Sequence, residues 1–108
     1  MTKAVYNREK LSLVIDGHAG AGVIGSDIVC AAISVLSFTL AEAVKEIEEN
    51  TSALHLNIYT EDNGGYMSIS CDPDCGHIED CRIVFDTIAK GFDLIYEYFP
   101  GHLKFVRE

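Results

Sequence analysis

Two residues near the N-terminus, His18 and Cys30, have the types and spacing that suit covalent chemistry. A cysteine thiolate attacks carbonyl carbons and a neighbouring imidazolium protonates the departing amine, so the two side chains are the minimum for acyl transfer. His18 follows a predicted strand and begins a glycine-containing loop, which is long enough to fold back toward Cys30. Cys30 falls in the first turn of a predicted helix, where free backbone amides and the helix dipole favour the thiolate.

Polar and small residues around this pair can support the same chemistry. Asp27 and Ser34 stand three residues before and four residues after Cys30, and therefore on its helical face. Asp27 can orient His18, cap the helix, or do both. Glycines permit close approach of a substrate and can offer backbone amides to an oxyanion. We assign the predicted substrate loop to Gly17, Ala19, Gly20, Gly22 and Gly25.

A structural role is the alternative for both reactive residues. Cysteine is among the most buried residue types, and Cys30 stands in an Ile-Val-Cys-Ala-Ala run that suits a packed helix. A single histidine in a loop is usually just exposed to solvent. Spacing alone therefore leaves both interpretations open.

A second group of potential ligands lies further along the chain and consists of Cys71, Cys75, His77 and Cys81. Zinc binds four such ligands, and a connection from strand to helix can present them. The spacing differs from the common zinc patterns, which usually begin Cys-x2-Cys. Cys71 also fits the inward side of a strand, and Cys81 fits the core side of a helix. We therefore favour packed thiols over a metal site, and we expect no cofactor.

The elements that must position these residues follow from the hydrophobic pattern. Alternation of apolar and polar residues predicts strands at 4–7, 11–15, 54–59, 67–71 and 102–106. Helical patterns extend over 28–49 and 79–99, and residues 25–27 supply N-cap chemistry for the first of them. The order β-β-α-β-β-α-β predicts an α+β fold, a two-layer sandwich of a mixed, mainly antiparallel sheet with two helices. We expect one domain over residues 1–108.

The segment from residue 17 to residue 34 resembles the signature of the ribosomal-processing cysteine protease Prp family. That signature is Gly-His-Ala, a loop, and then Gly-x-Asp-Ile-Val-Cys-Ala-Ala-x-Ser. This chain has Gly17-His18-Ala19 and later Gly25-Ser26-Asp27-Ile28-Val29-Cys30-Ala31-Ala32-Ile33-Ser34. The separation of His18 from Cys30 agrees as well, and chain length and element order fit along nearly the whole chain. The resemblance implies that Cys30 is the nucleophile, that His18 is the general base, and that Asp27 and Ser34 are supporting residues.

The resemblance further implies a small homodimeric protease of Firmicutes and related bacteria. Such enzymes remove a short N-terminal extension from a protein of the large ribosomal subunit, and they cut after a phenylalanine in a hydrophobic segment. The loop here reads Gly20-Ala21-Gly22-Val23-Ile24, whereas family members usually carry aromatic and polar residues there. One alternative is therefore a paralogue, such as a prophage-encoded one, with another substrate. A separate alternative is a non-catalytic zinc-binding or interaction module on the same fold.

The charge distribution bears on the partners. The net charge is −9, and residues 41–108 carry all of it, with five basic and fourteen acidic side chains. This balance argues against direct nucleic-acid binding, which requires a Lys/Arg surface, and it suits a basic ribosomal protein precursor as substrate. Excess apolar surface on the second helix predicts a homodimer. The N-terminus lacks a signal-like apolar segment and the longest apolar stretch, 28–41, is interrupted by polar residues, so we expect a cytoplasmic protein without a membrane partner.

Overall fold

The computed structural model describes residues 1–17, 24–50, 55–61, 65–72 and 76–108, with the backbone alone for residues 24–27 and 55. Two helices and five strands follow one another in the predicted order. They are β1 (Thr2–Asn7), β2 (Ser12–Asp16), α1 (Ile24–Glu49), β3 (His55–Thr60), β4 (Tyr66–Asp72), α2 (Ile78–Tyr98) and β5 (Leu103–Arg107). The predicted α+β class is confirmed.

The five strands form one sheet in the order β3-β4-β2-β1-β5. β2 pairs antiparallel with both β1 and β4, and β3 pairs antiparallel with β4. β1 and β5 run parallel, so the sheet is mixed and mainly antiparallel, as the sequence predicts. β3 and β5 are the two edges.

Both helices pack on one face of this sheet. Burial alternates along the strands, as it does in a sheet with one face on the core and the other in solvent. The core joins the inward residues of the strands to one side of each helix. Its large members include Tyr6, Leu13 and Ile69 from the strands, Val29, Leu40 and Val44 from α1, and Phe85 and Phe92 from α2.

A polar contact ties β1 to α2 at one end of the core. The Tyr6 hydroxyl donates a hydrogen bond to Asp86 Oδ1 at 2.6 Å, and Arg8 Nε lies 3.1 Å from Asp86 Oδ2. Burial by itself raises the pKa of Asp86, but the hydrogen bonds from Tyr6 and Arg8 outweigh it and lower that pKa overall. Burial, and then the bond to Asp86, raises the pKa of Tyr6.

α1 begins earlier than the sequence predicts. Its first residue is Ile24, so residues 25–27 lie inside the helix, and their prediction as an N-cap was wrong. Cys30 is the seventh residue of α1, so its prediction in the first turn was also wrong. Glycine, serine and aspartate are weak helix formers, but burial of the long apolar face that follows outweighs their preference. The amides without a helical acceptor are those of residues 24–27.

α1 is also longer than the apolar stretch seen in the sequence. Among the described residues, the Ile28–Glu49 segment of α1 is the one helical segment that is long and apolar enough to cross a membrane. Val29, Ile33, Leu40 and Val44 of this segment are buried in the core of the domain. Core helices of folded domains meet the same criterion of length and composition, and packing explains the apolar residues on one side of α1. Ile28, Val35 and Phe38 on its other side are exposed.

Candidate active site

A cleft of about 410 Å³ opens between α1 and one end of the sheet. α1 contributes Cys30 and Ser34, and Thr60 ends β3 at the cleft, followed by Glu61. Gly17, which follows β2, also lines the cleft. The cleft thus joins segments that stand far apart in the sequence, because β2, β4 and β3 are neighbours in the sheet.

Cys30 and Ser34 lie one turn apart on α1, as their spacing predicts. Cys30 is half-buried and Ser34 is exposed, and both line the cleft. The next turn presents Ser37, which is buried and donates a hydrogen bond to the carbonyl of Ile33 at 2.7 Å. Its hydroxyl is therefore satisfied within the helix, and Cys30 carries the one thiol among the described residues that line the cleft.

Gly17 sets the position from which the chain continues to His18. Its amide donates a hydrogen bond to the carbonyl of Gly65 at 2.8 Å, and its own carbonyl accepts from the Thr2 hydroxyl at 3.4 Å. Its φ is +94°, and a Cβ at this position would lie 2.8 Å from the carbonyl oxygen of Met1. Both the backbone angle and the space therefore require glycine.

The remaining predicted site residues fall partly outside the described structure. His18, Ala19, Gly20 and Gly22 lie outside the described residues. Gly25 and Asp27 are described as backbone of α1, and Asp27 precedes Cys30 by three helical positions. The structure therefore brings together Cys30, Ser34 and the residue before His18, and it leaves the predicted contact between His18 and Cys30 as a prediction.

The cleft is apolar, with one acidic group. Ile15, Ile33, Phe38 and Met67 line it, and Phe38 is 59% exposed. Among the described residues of the lining, Glu61 carries the one carboxylate. Phe38 follows Ser34 by four helical positions, and that spacing could have identified it. Met67 and Glu61 approach the cleft through the strand order, which no local pattern reveals. A thiol in an apolar, open cleft can meet the carbonyl of an extended polypeptide.

Two of the predicted zinc ligands, Cys71 and Cys81, are thiols packed in the core. Cys71 on β4 and Cys81 in the first turn of α2 are both buried, as their pattern predicts, and each thiol influences the pKa of the other. Burial is the main cause that raises the pKa of Cys71 to about 12, and it also raises that of Cys81. Cys75 lies outside the described residues, and His77 is half-buried just before α2. Across the described part of the chain, no three His, Cys, Asp or Glu side chains are grouped to hold a metal ion.

The mixed sheet, the two helices on one face and the thiol in the cleft define a small α+β domain with an open cysteine-containing site. Residues 1–104 match the model of the family described as cysteine protease Prp. The chain belongs to this family, and the resemblance noted in the sequence is confirmed.

Solved structures agree with this assignment. The essential ribosomal processing protease Prp from S. aureus, in complex with a covalently linked product peptide, matches with a TM-score of 0.81. The identity is 24%, and both chains are covered in full. The same protease with a substrate peptide gives a TM-score of 0.79 at 21% identity, again with full coverage of both chains. SMU.848 from Streptococcus mutans gives 0.68 at 27% identity, covering 99% of this chain and 93% of that one. No curated protein sequence matches this chain.

Proposed function

We propose that this protein is a cysteine endopeptidase that removes the N-terminal extension of a large-subunit ribosomal protein. Membership of the cysteine protease Prp family supports the reaction class. The assignment of the site rests on one observation: Cys30 lines the same cleft as Gly17, the residue that directly precedes His18. We assign the nucleophile to Cys30 and the general base to His18, with Asp27 and Ser34 in supporting positions.

The reaction proceeds by two acyl transfers. His18 takes the thiol proton while Cys30 Sγ bonds to the scissile carbonyl carbon, and the imidazolium then gives its proton to the departing amine. The carbon–nitrogen bond breaks and a thioester remains on Cys30. His18 next takes a proton from water, whose oxygen attacks the thioester carbonyl. The acid product leaves, and the proton returns to Cys30. The apolar lining of the cleft reduces competition from bulk water.

The chemistry of the cleft supports a hydrophobic substrate segment. Phe38 and Met67 offer apolar surface to a large side chain, such as a phenylalanine before the scissile bond. Glu61 at the same cleft and the net charge of −9 favour a basic protein. Negative charge also repels RNA, so we propose that the free precursor is cut before ribosome assembly. The S. aureus relative bears the description of a ribosomal processing protease.

We also propose a cytoplasmic homodimer. Large apolar side chains are exposed on both helices: Ile28, Val35 and Phe38 on α1, and Ile83, Leu94, Tyr96 and Tyr98 on α2. Exposed large apolar side chains favour association where they lie together on one surface. Sedimentation equilibrium is the direct measurement, and a monomer at high protein concentration contradicts this part of the proposal.

A cleavage assay tests the proposed function. The substrate is a peptide that spans the N-terminal extension of the host's own ribosomal protein, and mass spectrometry locates the cut. We expect cleavage by the wild type and by His77→Ala, a histidine control outside the cleft, but none by Cys30→Ser or His18→Ala. A Cys30→Ser variant that cleaves normally contradicts the mechanism. Cleavage of other sequences alone contradicts the substrate and favours the paralogue.

A further inference from the structure

β3 is an edge strand that ends at the active-site cleft. One of its sides pairs with β4, and none of the described strands lies beside the other. Thr60, its last residue, and Glu61, which follows it, both line the cleft that holds Cys30. An unpaired strand edge presents backbone donors and acceptors to any extended chain that lies along it.

Two hydrogen bonds fix the direction in which each backbone amide of β3 points. The amide of Glu61 donates to the carbonyl of Tyr66 at 3.1 Å, and it therefore faces the β4 side. The amide of Leu56 donates to Glu48 Oε2 at 3.1 Å, and it therefore faces away from β4. The backbone amides of successive residues in a strand point to opposite sides of that strand. The amides of Ile58 and Thr60 consequently face the open edge.

Among the described residues, the outward amides of β3 are hydrogen-bonded at one end of the strand and unbonded at the other. Glu48 of α1 accepts the hydrogen bond of the outward amide of Leu56, and neither residue lines the cleft. In the described structure, the outward amides of Ile58 and Thr60 have no hydrogen-bond partner. Ile58, Tyr59 and Thr60 are all exposed. The free part of the edge is therefore the part that is continuous with the cleft.

We propose that the polypeptide substrate binds as an added strand on residues 58–60 of β3, and that this pairing leads its scissile bond to Cys30. The inference rests on the proposed protease function. Main-chain pairing gives affinity to an extended peptide whatever its sequence, while the apolar cleft selects side chains. A second copy of this chain is a poorer occupant, because the free edge offers two outward positions and Glu48 covers the next.

Backbone substitutions in the peptide test this pairing. In the ribosomal-protein peptide of the cleavage assay, each amide except the scissile one is replaced in turn by an ester, which removes the N–H donor. Pairing predicts that kcat/KM falls by about tenfold for each hydrogen bond lost, at alternate positions, with little change between them. A uniform or absent effect on a peptide that is still cleaved overturns the added strand and leaves the protease function intact.

A substitution in β3 provides the matching test on the enzyme. Ile58→Pro removes an outward amide and spares pairing with β4, because proline is tolerated on edge strands where its nitrogen faces solvent. Ile58→Ala removes the side chain but keeps the amide, and it is the control. We expect kcat/KM to fall by about tenfold more in Ile58→Pro than in Ile58→Ala, mainly through KM. Alkylation of Cys30 by iodoacetamide and the far-ultraviolet circular dichroism should stay unchanged in both.

The outcomes separate the two proposals. Equal kcat/KM values for the two Ile58 variants, with both folded, overturn the added strand. A wild type that cleaves neither this peptide nor any other contradicts the protease function, and the added strand falls with it. If Ile58→Pro loses its circular dichroism spectrum, Thr60→Pro replaces it, since Thr60 presents the second outward amide. The ester series gives its answer on the wild type alone.

Discussion

The amide of Gly17 donates a 2.8 Å hydrogen bond to the carbonyl of Gly65, which joins the end of β2 to the residue before β4. Both glycines line the cleft that holds Cys30. The bond and the positive φ of Gly17 together set the direction in which the chain leaves the sheet toward His18. Gly17, the described residue directly before the proposed general base, is therefore held to the sheet by its backbone alone.

The first prediction concerns Gly17→Ala. A side chain is strained at φ +94°, and its Cβ would lie 2.8 Å from the carbonyl oxygen of Met1. We expect a loss of about 1–2 kcal/mol in the free energy of unfolding, from the backbone angle alone. The matched control is Gly101→Ala, because a Cβ at Gly101 meets nothing within 4 Å and should change little. Urea unfolding measures the free energy for both variants.

The same substitution should reduce activity beyond its effect on stability. A shift of Gly17 displaces the start of the segment that holds His18, and small displacements of catalytic groups reduce rates steeply. We expect kcat to fall more than KM rises for the folded fraction of Gly17→Ala. A variant that is destabilised but retains full kcat would show that the position of His18 does not depend on Gly17.

The second prediction concerns the reactivity of the thiols. Cys30 is half-buried in an open cleft, whereas Cys71 and Cys81 are buried and have raised pKa values. Because the thiolate is the reactive form, iodoacetamide at neutral pH should modify Cys30 first among these three. Peptide mass spectrometry over time gives the rates. Cys71 should react in the native protein at a negligible rate and in urea at an ordinary one; equal native rates for Cys30 and Cys71 contradict the assignment.

The third prediction concerns Asp86, whose pKa is lowered by hydrogen bonds from Tyr6 and Arg8 against the opposing effect of burial. A carboxyl with a lowered folded-state pKa stabilises the fold above its unfolded pKa, about 3.9, and loses this contribution as pH falls through the folded value. Asp86→Asn should therefore cost about 1–2 kcal/mol at pH 7, since the carboxylate is partly exposed. The difference from wild type should shrink below about pH 4.

Urea unfolding of wild type and variant at pH 7 and near pH 3 measures this difference. The control is Asp93→Asn, whose carboxylate forms an exposed ion pair with Arg107 and should contribute less. A difference between wild type and Asp86→Asn that persists unchanged at low pH contradicts the role of the ionised carboxylate.

Local patterns predicted the elements well and their contacts poorly. Alternation over Leu13 and Ile15 identified the buried face of β2, because burial of one face imposes a period of two. The sequence did not reveal the start of α1. N-cap chemistry at residues 25–27 is a local signal, whereas the burial of the apolar face, which outweighs it, depends on the rest of the fold. The hydrogen bond between Tyr6 and Asp86 joins residues 80 positions apart in the sequence, so no local pattern predicts it. Thr60 and Glu61 reach the cleft only through the strand order, so their place required the structure.

The last prediction concerns Glu61, the carboxylate at the cleft. A carboxylate that lines the cleft attracts a lysine or arginine of the substrate, and it should act mainly on binding. We expect Glu61→Gln to raise KM about two- to fivefold for a peptide with a basic residue near the cut, with kcat nearly unchanged. The same peptide with that residue replaced by glutamine should show no difference between wild type and variant. Glu97→Gln, exposed on α2, changes the net charge equally and is the control.

Salt separates local recognition from long-range attraction. Raising the ionic strength should lower kcat/KM of the wild type on a basic protein substrate, because screening weakens attraction between exposed charges. Glu97→Gln should keep nearly all of this salt dependence, since it removes one of seventeen acidic groups. Glu61→Gln should lose more of it, since its charge lies at the cleft itself. Equal salt dependence in the wild type and both variants would assign the attraction to the acidic surface as a whole rather than to Glu61.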